Sequence, residues 1–380
     1  MKLSFHILLA STLILTSVAC KKKGCTDPAA ENYSSSAKKD DGSCYYASTY
    51  AVPTTYSFAN STGNSTVNYA GQTDRINQLA EMIDYAESGE TSVIDAQILK
   101  DMFANTGGNG NGHFTFTSTR QLKDKCFSLD QALIESYFDS IAIASANFAS
   151  TASNGQAGTL TSGASTYLIS ANGFDYAELI EKTIMGAVFE YQALNVYFGS
   201  DKMSADNTTP VDALNGLYYT EMQHYWDEAF GYFGVPTDFP TTVNDKFWDE
   251  YCTLNDPVLN SNQIMMHNFL KGRAAIVNKE YADRDVTITN IRDMWEKIAA
   301  YSAMHYLDQA TGYFGNDNAK FLHALSEAYG FIYCLRYAPD ETRHMTQAEV
   351  TALIAQFGDN LWEVTASDIQ SIKTTLDAKF

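Results

Sequence analysis

From residue 73 onward the apolar positions recur with a helical period. Ile76, Leu79, Met82, Ile83 and Ala86 form one stripe, and Val93, Ile94, Ile98, Leu99, Met102 and Phe103 form another. A Gly/Asn loop at 106–112 then precedes a long predicted helix over about 120–148. A Ser/Thr/Gly stretch, 149–173, separates this half from a second helical half. There the pattern predicts helices over 174–197, 210–232, 260–281, 288–312, 319–337, 347–356 and 366–378. Pro210 suits a first helical turn. No convincing alternation of apolar and polar positions marks a strand. The expected fold is all-α, a helical bundle in two pseudo-symmetric lobes divided near residue 160.

The first 72 residues follow different rules. Lys2, an apolar run over 5–15 and the small residues before Cys20 have the order of a secretory signal. The run is too short to span a bilayer, which takes about 20 apolar residues. Cysteine directly after Ala19 resembles the lipobox of bacterial lipoproteins. The expectation is a signal over 1–19, lipidation at Cys20 and a tether over 20–24. The competing reading is an ordinary cleaved signal with an incidental cysteine. Lys21, Lys22 and Lys23 would sit against anionic headgroups. The expected location is therefore the cell envelope, lipid-anchored to a bacterial membrane, the outer one, on its periplasmic or surface side.

Cys25 and Cys44 bracket a segment that ends near residue 46, and an oxidising envelope favours a disulfide between them. Its closed loop would contribute roughly 3 kcal/mol. The segment resembles a short exported module with the pattern C-T-D-P-A-A-x-N-Y and D-D-G-S-C. Asp27, Asn32, Asp40 and Asp41 offer oxygen ligands suited to Ca²⁺, against the alternative of a spacer with solvated acids. Residues 47–72, rich in Ser, Thr, Asn and Tyr, read as a linker to a helical domain over 73–380.

Composition narrows the function classes. The chain has 380 residues, 45% of them hydrophobic, enough for a large core. Its 45 acids against 25 bases give a net charge of −20. Nucleic acid is excluded as a partner, because phosphate recognition needs concentrated Lys and Arg. Cation partners are favoured instead. Cys126, Cys252 and Cys334 lie in apolar helical contexts and read as buried thiols.

Two segments echo each other: HYWDEAFGYFG at 224–234 and HYLDQATGYFG at 305–315, identical at eight of eleven positions. The first places His224, Asp227 and Glu228 at i, i+3 and i+4, one face of a helix. The second offers His305 and Asp308. His323 and Glu327 add an i, i+4 pair, and Glu181 and Glu190 lie on a further helix. Histidine and carboxylate converging inside a bundle suit iron, zinc or manganese. The bland alternative is a polar network that fixes helix register. Motifs for a zincin, a nucleophile elbow or a Walker loop are absent, so no catalytic residue is assigned.

The first echo, together with GRAAI at 272–276 and HALSEAYGF at 323–331, resembles an uncharacterised family of envelope lipoproteins. That family is the domain of unknown function numbered forty-eight fifty-six, itself similar to the imelysin-like proteins. The resemblance implies an all-helical, two-bundle fold and a link to iron uptake. It places the imelysin motif histidine on His224 and its acid on Asp227, with Met222 where the motif has glycine. The leading expectation is a lipid-anchored protein that binds a metal or metal complex in iron acquisition, with an outer-membrane transporter as partner. Its ligands would be His224, Asp227 and Glu228, with His323 and Glu327 contributing. Two rival classes are a metal-dependent, peptidase-like hydrolase and a non-catalytic scaffold for a transporter or glycan.

Overall fold

A computed structural model describes residues 22–40 and 44–380. The expected signal, Lys21, the lipidation site Cys20 and the candidate calcium ligand Asp41 lie outside the described residues. The chain separates into two compact units, up to Thr49 and from Tyr50 to Phe380.

In the smaller unit Cys25 and Cys44 are joined by a disulfide. Asp27 accepts hydrogen bonds from the Ala29 amide at 2.9 Å and the Tyr46 hydroxyl at 2.6 Å. Asn32 Oδ1 accepts from the Tyr45 amide at 3.0 Å. These oxygens of two expected calcium ligands serve as local turn locks, and Asp40 is exposed.

The larger unit is mostly helical. Its helices are α1 (Ala70–Glu87), α2 (Ala96–Phe103), α3 (Gln131–Ser145), α4 (Tyr176–Ile184) and the single turn α5 (Ser200–Met203). Then come α6 (Glu221–Phe233), α7 (Trp248–Leu259), α8 (Ser261–Asn278) and the 33-residue α9 (Tyr281–Tyr313). The last three are α10 (Asn318–Cys334), α11 (Gln347–Ile354) and α12 (Ala366–Asp377). The all-α bundle is as expected. Helix α9 is the spine: it packs along α8 on one side and α10 on the other, and α10 packs on α4. Trp226, Trp248 and Trp295 are fully buried among Phe and Tyr rings at its centre. The three unpaired thiols, Cys126, Cys252 and Cys334, are all buried.

Several expectations need correction. Tyr50–Phe380 is one compact unit, not two lobes divided near 160. The segment read as a linker is part of it from Tyr50 on. Tyr56 is 2% exposed, and its ring stacks on Phe230 at 3.6 Å. The helix expected over 120–148 begins only at Gln131, because turns around the buried Leu122 and Cys126 occupy the preceding stretch. That expected over 210–232 begins at Glu221, where Thr220 and Gln223 form a capping box. Upstream, Gly216 at φ 84° closes a tight turn that no helix could contain. Residues 149–173 hold a hairpin, β1 (Gly158–Ser162) with β2 (Ser165–Ile169), antiparallel, Ser162 opposite Ser165. Its two-residue turn carries Gly163 at φ 61°.

Helix α4 does not stop at Ile184. It continues to Tyr197 through two π-helical stretches, Met185–Glu190 and Gln192–Tyr197. Such widened turns are rare and recur at functional sites.

Candidate metal centre

Helix α4 starts with a carboxylate doing two things. Asp175 caps the helix, its Oδ1 accepting from the Ala177 amide at 3.2 Å. Its Oδ2 lies 3.1 Å from Nδ1 of His323, which α10 brings alongside. The Asp175 amide also donates to the Ser326 hydroxyl at 2.9 Å, which pins the start of α4 to α10. Glu178 follows three residues after Asp175, on the same helical face, with Oε1 3.8 Å from His323 Nδ1. Asp175, Glu178 and His323 each offer a ligand atom, and these atoms lie within 4.8 Å of one another. Among the described residues this is the one group of three His, Cys, Asp or Glu side chains so placed. The Tyr167 ring of β2 lies against the imidazole at 4.4 Å and limits its rotation.

Around this triad negative charge is crowded. Lys182, only 1% exposed, sits one turn along α4 with its ammonium 3.0 Å from Glu178, 2.5 Å from Glu181 and 3.2 Å from Glu327. Burial alone would raise Glu178, but the charges of Lys182 and His323 hold it down to about 2. Burial would lower His323, yet the hydrogen bond it donates to Asp175 and the charge of Glu178 bring it up to about 9. Glu327 is pushed well up by burial and then by Glu178. Burial raises Glu87 and Glu90 to about 7, helped by the neighbouring carboxylates, and raises Glu250 as well. One buried ammonium and one imidazolium thus face seven carboxyl groups, a setting that attracts further cation charge.

One imidazole nitrogen with two carboxylates is a donor set for Zn²⁺, Fe²⁺ or Mn²⁺. Ligand atoms at ~2.1 Å from a tetrahedral ion sit ~3.4 Å apart, so the triad fits after a small inward rotation of its side chains. The ligating imidazole must be neutral, so binding would release its proton.

The expected ligands are divided by the structure. His323 is in the triad, and Glu327, one turn along α10, faces Lys182 instead. The trio on α6 does not converge. Asp227 is fully buried and accepts from Arg273 Nε at 2.8 Å, the Tyr56 hydroxyl at 2.8 Å and the Asn68 amide at 3.2 Å. It is the acid of a buried ion pair, with both oxygens engaged. Glu228 accepts from Gln72 at 2.9 Å and Tyr197 at 3.1 Å, and His224 Nδ1 lies 2.9 Å from the Asn68 carbonyl. Only His224 and Glu228 remain neighbours, at 4.0 Å. Glu181 pairs with Lys182, while Glu190 is fully buried with neither oxygen hydrogen-bonded.

Asp175, Glu178 and Lys182 were not singled out from the sequence. The available signal was local: Asp175 and Glu178 are an N-cap and its first-turn acid ahead of an apolar run. Nothing local joins them to a histidine 148 residues away.

The family model described as Domain of unknown function (DUF4856) matches residues 53–380. No curated protein and no solved structure matches the chain. The matched stretch takes in nearly the whole larger unit, with both helices that carry the triad, and the chain belongs to the DUF4856 family.

Proposed function

We propose that this chain is a lipid-anchored envelope protein that binds a divalent transition-metal ion, or a complex of one, at Asp175, Glu178 and His323. The observation that carries the reading is the approach of those three side chains from two packed helices to one point. The surrounding surplus of carboxylates supports it, since a divalent ion would offset charge that Lys182 and His323 leave uncompensated. Lys182 acts as a resident counter-cation, which keeps the apo cluster folded and makes the bound metal exchangeable. The likeness to imelysin-like proteins supports a role in iron acquisition, with Cys20 as the lipid anchor and an outer-membrane transporter as partner.

The test is metal content and titration of the full chain with Fe²⁺, Zn²⁺ and Mn²⁺, beside three variants. One equivalent should bind the wild type. His323→Ala and Glu178→Gln should each weaken binding by at least about tenfold, since losing even an outer-shell partner of a ligand costs about 10–100-fold. His224→Ala should bind as the wild type does. No binding by the wild type, or binding that survives both His323→Ala and Glu178→Gln, overturns the proposal. Loss in His224→Ala alone would return the site to α6.

A further inference from the structure

Away from the acidic centre lies a pocket of about 340 Å³. One wall is aromatic: Phe127 packs against Tyr191 at 4.9 Å and Tyr337 at 6.0 Å between ring centroids. The exposed side chain of Leu129 forms a lip. Two arginines, Arg336 and Arg343, also line the pocket. In a chain with 45 acids and 25 bases, two arginines in one pocket reverse the prevailing charge.

Neither arginine is fully used by the protein. Arg343 Nη2 pairs with Asp340 at 2.6 Å, but that carboxylate also lines the pocket and is 89% exposed. Arg336 Nη1 contacts the Tyr333 hydroxyl and lies 3.8 Å from Asp130 Oδ1. Asp130 is itself occupied by the Tyr333 and Tyr337 hydroxyls at 2.8 and 2.7 Å. The Nε–H of Arg336 and the Nε–H of Arg343 are both buried donors with no acceptor. Buried donors are ordinarily satisfied, so two on arginines that line one pocket mark its wall as one that lacks an acceptor. The Nε–H and Nη–H edge of a guanidinium matches a carboxylate in bidentate geometry.

We infer that this pocket binds a small organic anion, a carboxylate carried on a planar apolar body. The arginines take the carboxylate and the Phe127–Tyr191–Tyr337 wall takes the body. The volume is at the lower end of ligand sites, about 300–1,000 Å³, which limits the ligand to one or two fused rings. The pocket shares no lining residue with the Asp175–Glu178–His323 centre, so the inference is independent of the metal reading.

Calorimetric titration of the full chain with 2-naphthoate tests it, with 2-naphthalenemethanol and inorganic phosphate as probes that lack the charge or the body. One equivalent of 2-naphthoate should bind saturably, and both comparison probes should bind at least about tenfold more weakly. Arg343→Gln should weaken naphthoate by about tenfold or more, and Arg343→Lys should recover only part of it, because lysine keeps charge and loses the fork. Leu129→Asp, at an exposed position that tolerates substitution, should also weaken binding by placing like charge at the lip. Circular dichroism of each variant separates lost binding from lost folding. Absence of saturable naphthoate binding by the wild type overturns the inference. So does naphthoate binding unchanged in folded Arg343→Gln and Leu129→Asp, or phosphate binding as tight as naphthoate.

Discussion

The chain writes nearly the same eleven residues twice and puts them in opposite surroundings. In α6 the copy starting at His224 is drawn into the core: Asp227, Ala229, Phe230 and Tyr232 are fully buried. In α9 the copy starting at His305 lies at the end of the helix and is largely open. Asp308 faces solvent and pairs with Lys373, and Phe314 is 40% exposed. The difference comes from what covers each helix. The segment 50–69 crosses α6, stacks Tyr56 on Phe230, and donates the Tyr56 hydroxyl and the Asn68 amide to Asp227. Arg273 of α8 completes that cluster. In the described residues Asp308 has none of these partners. A shared local pattern therefore fixes helix and, within a residue, where it ends, while the role of each acid is set by elements distant in sequence.

The largest expected effect breaks this comparison at the paired aspartates. Asp227→Ala strands the Arg273 guanidinium, fully buried, without its anion, and should cost about 3–5 kcal/mol in denaturant unfolding. Asp308→Ala removes the partner of an exposed ion pair and should change stability by no more than about 0.5 kcal/mol. Equal losses in the two variants would mean the segment 50–69 does not hold α6 as described.

The paired glycines sharpen it, because the two copies should respond with opposite sign. A Cβ on Gly231 would come within 2.6 Å of the Tyr69 Cβ and 2.9 Å of the Gln72 Cβ, where α6 meets the start of α1. Gly231→Ala should cost about 1–3 kcal/mol by overpacking. A Cβ on Gly312 meets nothing within 4 Å on an exposed stretch of α9. Gly312→Ala should therefore stabilise by up to about 1 kcal/mol, through helix propensity and reduced unfolded-state freedom. Thermal unfolding of both variants reads the sign, and destabilisation by Gly312→Ala would refute the open environment assigned to the second copy.

The echo also shows how far sequence pattern reaches. The predicted ends of α8, α10 and α12 hold within a few residues, α9 starts seven residues early, and the stripe over 76–86 falls within α1. Periodicity fails where tertiary partners decide. Helix α7 keeps Pro257 in its last turns and follows Phe247 at φ 52°, so it has no sequence-level start. The hairpin β1–β2 is short and Thr-rich, so its alternation was too weak to register. At the site, His323 and Glu327 were legible as an i, i+4 pair on α10, but the ligands beside His323 come from α4. The carboxylates of α6 had the right spacing and the wrong neighbours, since no helical period reveals that Arg273 and Tyr56 will claim Asp227.

The contrast between buried and exposed acids also sets a pH dependence. Glu190 is fully buried in the first π-helical stretch, and burial, then the charge of Glu296, pushes its carboxyl well up. Glu296, on the same α9 that carries exposed Asp308, is raised by burial from 4.5 to about 7. Both groups bind protons more tightly in the folded chain than in the unfolded one. Stability should therefore fall as pH rises from about 4.5 through 7, and for Glu190 beyond it. Glutamine at 190 cannot ionise in either state and removes that group's share of the slope. Glu190→Gln should be more stable than wild type at pH 8, with the gain shrinking toward zero near pH 4.5. Asp308→Asn, the exposed control, should leave the slope as it is. Denaturant unfolding between pH 4.5 and 8 measures all three chains. A slope in Glu190→Gln equal to that of the wild type would mean Glu190 is ionised when folded, with a counter-cation beside it.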